Sequence, residues 1–125
     1  MGPEAKFYKK LVNEWSDFSF TRIENISLLG TPDLLVCNNN GHFFTIELKV
    51  TKGKKVRFSP HQLAFHIKHP KNTFIMIEAL GPRSTNRFQM YRGSQILELE
   101  TLGLELEAWS FGLEACRLKL SKLGA

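Results

Sequence analysis

The stretch "GTPDLLVCNNNGHFFTIELKV", residues 30–50, reads as two strands joined by a turn. Gly30 is free to take a positive φ and Pro32 fixes its own, so the run opens on a turn. Asp33–Cys37 is a short strand, and Asn40-Gly41 accepts the left-handed geometry of a hairpin. His42–Val50 is the returning strand, with side chains alternating between faces. Phe44, Ile46, Leu48 and Val50 share one face; Phe43, Thr45, Glu47 and Lys49 share the other. In a hairpin of this register Asp33 lies beside the half of the partner strand that holds Glu47 and Lys49, and a one-residue slip would separate them. Carboxylates beside a core are costly when unpaired. Two of them side by side repel and attract a divalent cation, and Mg²⁺ favours oxygen ligands while keeping several waters. Carboxylate, carboxylate and lysine around a phosphate form a minimal set for phosphodiester hydrolysis.

The surrounding sequence supplies layers for that hairpin. Phe7, Tyr8, Leu11, Val12 and Trp15 recur at helical spacing, with Lys6, Lys9 and Lys10 between them, and Pro3 suits a first turn. Ser19–Asn25 alternates loosely as a strand. After the basic loop from Lys52 to Arg57, Ser59 is a natural N-cap and Pro60 a natural first helical residue, predicting a helix that ends before Pro70. Thr73–Leu80 is a buried strand by composition, Gly81–Asn86 a loop and Arg87–Gly93 another strand. Farther on, Leu99, Leu102, Leu106, Trp109, Leu113, Cys116, Leu120 and Leu123 follow a 3-4 spacing, the seam of a packed helix pair. Gly103 and Gly112 divide it into two shorter helices, and Leu102–Trp109 also alternates with the period of a strand. The stripe covers the domain's own core on one reading and forms a subunit interface on the other. The expectation is one mixed α/β domain over residues 1–125, with an αβββαβ core at about 3–93 and a helical tail at about 94–123.

Composition narrows the function. With 42% hydrophobic and 23% charged residues the chain is globular rather than disordered. A net charge of +5 favours a polyanionic partner. Cys37 and Cys116 lie far apart in apolar stretches, which predicts buried free thiols and a reducing, intracellular (cytoplasmic) setting. No apolar run is long enough to span a bilayer and no signal-peptide pattern opens the chain, so no membrane role is expected.

Pro32-Asp33 followed by Glu47-Leu48-Lys49 resembles the PD-(D/E)xK nuclease signature. The Gly-Thr-Pro-Asp turn is similar to that of phage and archaeal Holliday junction resolvases and of the virus-type replication-repair nuclease domain. Gln62, one helix later, matches the glutamine that often follows the lysine strand in these groups, and the early helix carries glutamates as the family's first helix does. The resemblance covers about the first two thirds of the chain. It implies a restriction-endonuclease-like fold. It also implies that Asp33, Glu47 and the backbone carbonyl of Leu48 hold Mg²⁺ or Mn²⁺, that Lys49 is the catalytic lysine, and that Gln62 places the substrate phosphate or the lysine. A glutamate of the first helix completes the metal shell; Glu4 fits best, with Glu14 and Glu24 as competitors.

The remaining polar groups are read on their chemistry. Lys52, Lys54, Lys55 and Arg57 follow the lysine strand directly and suit DNA phosphates, with Arg22 and His61 beside them and Arg83 and Arg87 as extensions. His42, His61, His66 and His69 have no cysteine beside them at zinc-site spacing, and read as helix-surface groups near phosphate or in solvent. The phenylalanines fall in core patterns, so recognition of backbone and shape is expected rather than base stacking. Together these features predict a metal-dependent, structure-selective DNA endonuclease of the Holliday junction resolvase kind. Such an enzyme acts on branched DNA as a homodimer and, on one reading, is phage-encoded. A flap or nicking nuclease and a silent DNA-binding module are the alternatives.

Overall fold

The computed structural model describes residues 2–23 and 30–125. Glu24, one of the three glutamates considered for the metal shell, lies outside them. Helix α1 spans Pro3–Glu14, followed by strands β1 (Ser19–Arg22), β2 (Leu34–Cys37) and β3 (Phe43–Thr51). Helix α2 (Pro60–Lys68) leads to β4 (Thr73–Ala79) and β5 (Arg87–Arg92). The tail holds α3 (Ile96–Leu102), β6 (Ser110–Phe111) and α4 (Leu113–Ser121). The strands form one mixed sheet in sequence order, parallel only between β3 and β4 and antiparallel elsewhere. That parallel step needs a crossover, and α2 provides it.

The expected hairpin forms. Leu34 pairs with Ile46 and Cys37 with Phe43. Asn38 closes the turn: its Oδ1 accepts from the N–H groups of Asn40 (2.9 Å) and His42 (3.1 Å). Gly41 sits at φ +73°, as a turn of this kind demands. Phe44, Ile46 and Leu48 are buried on one face against Phe7 and Leu11 of α1, Trp15 just past its end, and Cys116 and Leu120 of α4. Ile75, Ile77 and Tyr91 face the other way, with Val56 and with Ile96 and Leu99 of α3, and Leu63 of α2 packs against them. The sheet is therefore covered on both faces, which is why every residue of β4 is buried.

The tail holds the two shorter helices expected on either side of Gly103 and Gly112, but they lie on opposite faces of the sheet and do not form a packed pair. Its apolar stripe is split between two clusters, with Leu99, Leu104 and Leu106 on the α2 face and Leu113, Cys116 and Leu120 on the α1 face. Gly103 (φ +62°) and Gly112 (φ +90°) break the helical path, and the period-two pattern between them ends in β6, beside β5. The stripe serves the chain's own core, although Leu102 is half exposed. Cys116 is a buried free thiol, and Cys37 is only partly buried.

Candidate functional site

The site is assembled at the end of β2, where the ladder with β3 runs out. Continuing the register one residue beyond Leu34–Ile46 sets Asp33 opposite Glu47. Asp33 Oδ2 accepts the N–H of Leu48 at 2.7 Å, and its backbone carbonyl accepts from Ile23 at 2.8 Å. The carboxylate thus replaces the missing strand partner. Thr51 C=O points toward β4, where it accepts from Leu80 N–H at 2.8 Å. Alternation along β3 then directs the Leu48 carbonyl to the opposite side, beside Asp33 and beyond the last β2 pair.

Gly30 explains how this turn meets α2. Its φ is +82°, and a Cβ there would lie 2.3 Å from the carbonyl oxygen of His61. Only glycine lets the turn approach the first turn of α2 so closely. Ser59 and Gln62 start that helix with a capping box, Ser59 Oγ accepting from Gln62 N–H at 3.1 Å and Gln62 Oε1 from Ser59 N–H at 3.0 Å. The same Oε1 accepts from Lys49 Nζ at 3.0 Å, while Gln62 Nε2 donates to Glu47 Oε2 at 3.2 Å. One amide therefore fixes a helix start, a lysine and a carboxylate. Lys49 Nζ also lies 5.1 Å from the centroid of the Phe58 ring.

Glu47 is only 2% exposed, so its strand face is not a solvated one. Burial, then the neighbouring Asp33, push its carboxyl up to about 9, against a smaller opposing pull from Lys49. Glu4 also raises it, so the charge at the start of α1 is felt at this carboxyl. Glu4 lines a cleft of about 310 Å³ with Lys49, Val50, Thr51, Lys52, Lys55 and Arg57, whereas Glu14 is exposed at the far end of α1.

The other basic candidates fall into two groups. Lys52, Lys55 and Arg57 line this cleft. Lys54 instead pairs with Glu105 at 3.4 Å, and its carbonyl accepts from Leu104 N–H at 2.8 Å. Arg22 lies 5.1 Å over the Tyr8 ring on the edge strand. His61 is exposed on the first turn of α2, and Arg83 and Arg87 are exposed around the β4–β5 loop.

His66 is the residue that sequence reasoning placed wrongly. It is wholly buried rather than on a helix surface, with Nε2 3.8 Å from Glu47 Oε1. Burial, then the charge of His69, lower its imidazole to about 4. The signal was present in the spacing, since Gln62 and His66 are four apart and share a helix face. His42 accordingly stands apart, bonded to Asn72 Oδ1 at 2.7 Å.

Among the described residues no group of three or more His, Cys, Asp and Glu side chains gathers into a metal cage. What the site offers is two adjoining carboxylates, a buried Glu47 Oε1 with no hydrogen-bond partner, and the outward Leu48 carbonyl. That donor set suits a hydrated Mg²⁺, which needs one or two carboxylates and retains water, better than it suits zinc.

A pH prediction follows. The Glu47 carboxyl titrates higher in the folded chain than in the unfolded one. Its contribution to stability is therefore complete below about pH 4.5 and is lost as pH rises toward 9. Without divalent metal, Glu47→Gln should unfold at higher temperature than wild type at pH 8, and the difference should shrink toward pH 5. The slope between them is at most about 1.4 kcal/mol per pH unit. Thermal unfolding across that range checks this; a difference independent of pH would contradict it.

No family model matches the chain, and no curated protein matches it in sequence. The likeness to the virus-type replication-repair nuclease domain therefore rests on the motif residues alone. Among solved structures, Archaeoglobus fulgidus Hjc, a Holliday junction resolvase from an archaeal hyperthermophile, matches with a TM-score of 0.51 at 19% identity. The match spans 73% of this chain and 78% of Hjc. Among the described residues no helix is long and apolar enough to cross a membrane. With its six-stranded mixed sheet, helices on both faces and helical tail, the chain shares the α/β fold of an archaeal Holliday junction resolvase.

Proposed function

We propose that the chain is a Mg²⁺-dependent, structure-selective DNA endonuclease that resolves branched DNA, above all four-way junctions, inside the cell. The observation that carries this reading is Asp33 beside Glu47, with Gln62 bonded to both Glu47 and Lys49, on a resolvase-like fold. Asp33, Glu47 and the Leu48 carbonyl would hold Mg²⁺, with Glu4 reaching the shell from α1. Bound there, the metal supplies Lewis acidity toward the phosphate and an acidified water. Lys49, steered by Gln62, directs its positive charge at the phosphoryl oxygens as negative charge builds on them. Lys52, Lys55 and Arg57 hold the flanking backbone in the cleft, without reading bases. Two such sites in a homodimer would give the paired nicks that resolution of a symmetric junction requires.

Binding tests this reading separately from chemistry. With Ca²⁺ present, Asp33→Asn should bind a four-way junction at least about tenfold tighter than a linear duplex of the same sequence, a difference of about 1.4 kcal/mol. Equal affinities would remove the structural selectivity. Replacing Lys55 and Arg57 together should weaken binding to every DNA. It should also lower the slope of log K against log salt by up to about 1.8, or about 0.9 for each lost phosphate contact. Replacing Lys54, already engaged by Glu105, should change the slope less. Glu4→Gln should slow cleavage markedly, whereas Glu14→Gln should leave it near wild type; the reverse order would move the third carboxylate to the other end of α1.

A further inference from the structure

Three polar atoms are enclosed together with no hydrogen-bond partner: Glu47 Oε1 and both ring nitrogens of His66. A buried donor or acceptor without a partner destabilises the fold, because it has given up water for nothing. A leucine or methionine would fill a purely structural position on α2 without that cost. Nε2 of His66 stands 3.8 Å from Glu47 Oε1, longer than a hydrogen bond, and about 1 Å of side-chain movement closes the gap. The other oxygen of the same carboxyl already accepts from Gln62 Nε2. Gln62 and His66 lie one turn apart on one face of α2, so the helix brackets the carboxyl from both oxygens.

The ring has a shaped seat. A Cβ on Gly93 would come within 2.8 Å of His66 Nδ1 and 2.0 Å of Thr73 Oγ1, so glycine at this position leaves the imidazole its room. Thr73 Oγ1 spends its proton on the carbonyl of His69 at 2.8 Å. Nε2 faces the Glu47 oxygen.

We infer that His66 is a positioning residue for Glu47: the neutral imidazole donates from Nε2 to Oε1 and holds the carboxylate in the orientation that takes a divalent cation beside Asp33. The inference rests on the reading of Asp33 and Glu47 as a cation site. It adds a group that acts through a ligand and does not touch the metal or the phosphate.

Calorimetric titration of the metal-free protein with Mn²⁺ tests it. His66→Leu should bind Mn²⁺ at least about tenfold more weakly than wild type. His66→Gln, whose amide nitrogen can stand in for Nε2, should recover to within a few-fold. The Mg²⁺ concentration for half-maximal cleavage should rise in His66→Leu, while the rate at saturating Mg²⁺ stays within a few-fold of wild type. If His66→Leu does not fold, His66→Met takes its place in the same comparison. Equal Mn²⁺ affinity in wild type and the apolar variant overturns the role of His66. So does equal weakening in the apolar and glutamine variants, or a nitrogen hyperfine coupling on bound Mn²⁺, which would make His66 a ligand. Wild-type protein that takes up no Mn²⁺ at all overturns the cation site itself, and the inference with it.

Discussion

Glu47→Gln should cleave branched DNA at least about a thousandfold more slowly than wild type, and Asp33→Asn should do the same. A metal-held water and a polarised phosphoryl oxygen account for several kcal/mol of barrier, and each 1.36 kcal/mol is tenfold in rate. The loss should come with intact folding. Glu47 is enclosed with its carboxyl pushed up to about 9, so a neutral glutamine of nearly the same shape suits the metal-free site. Asp33→Asn keeps an amide oxygen that can accept from the Leu48 N–H, so the turn keeps its anchor. Junction binding measured with Ca²⁺ should survive in both. A variant that still cuts at the wild-type rate would take its residue out of the site.

Lys49→Met should carry the second largest effect, at least about a hundredfold in single-turnover rate, with Mn²⁺ affinity within a few-fold of wild type. Lys49 is half-buried, held to Gln62 Oε1 at 3.0 Å and lying near the Phe58 ring. It is placed to act on the phosphate and does not belong to the donor set around Asp33 and Glu47. One preorganised donor aimed at developing negative charge is worth about 10²–10³ in rate. Methionine preserves the apolar stem and removes the charge. A fall in metal affinity as large as the fall in rate would assign Lys49 to building the site rather than to the reaction.

Much of this was legible in residues 30–50. Alternation in β3 separated Phe44, Ile46 and Leu48 from Glu47 and Lys49, and Asn40-Gly41 announced the hairpin. The start of α2 was equally plain, because Ser59 and Pro60 state their positions locally. What strand periodicity could not disclose is what covers the second face. Glu47 and Lys49 look like a solvated edge until α2, more than ten residues later, folds over them with Gln62 and His66. The pairing that matters for His66, with Gln62 four residues earlier, mixes two residue types and is not visible among the histidines alone. The two helices of the tail were legible at Gly103 and Gly112, but the seam between them was not, for another reason. A 3-4 spacing that runs through two glycines at positive φ keeps its count and loses its axis, so one stripe serves opposite faces of the sheet. Lys54 reads with its basic neighbours in the sequence because its partner, Glu105, lies far along the chain.

The most direct test is cleavage itself. Wild-type protein with Mg²⁺ or with chelator is mixed with an end-labelled four-way junction, a flap and a linear duplex of matched sequence, and Glu47→Gln is run beside it. The expected result is a pair of symmetric nicks in the junction, dependent on Mg²⁺, absent with Glu47→Gln and absent from the duplex. A junction left uncut under every divalent metal tried, while still bound, would contradict the assignment of Asp33, Glu47 and Lys49 as a nuclease site.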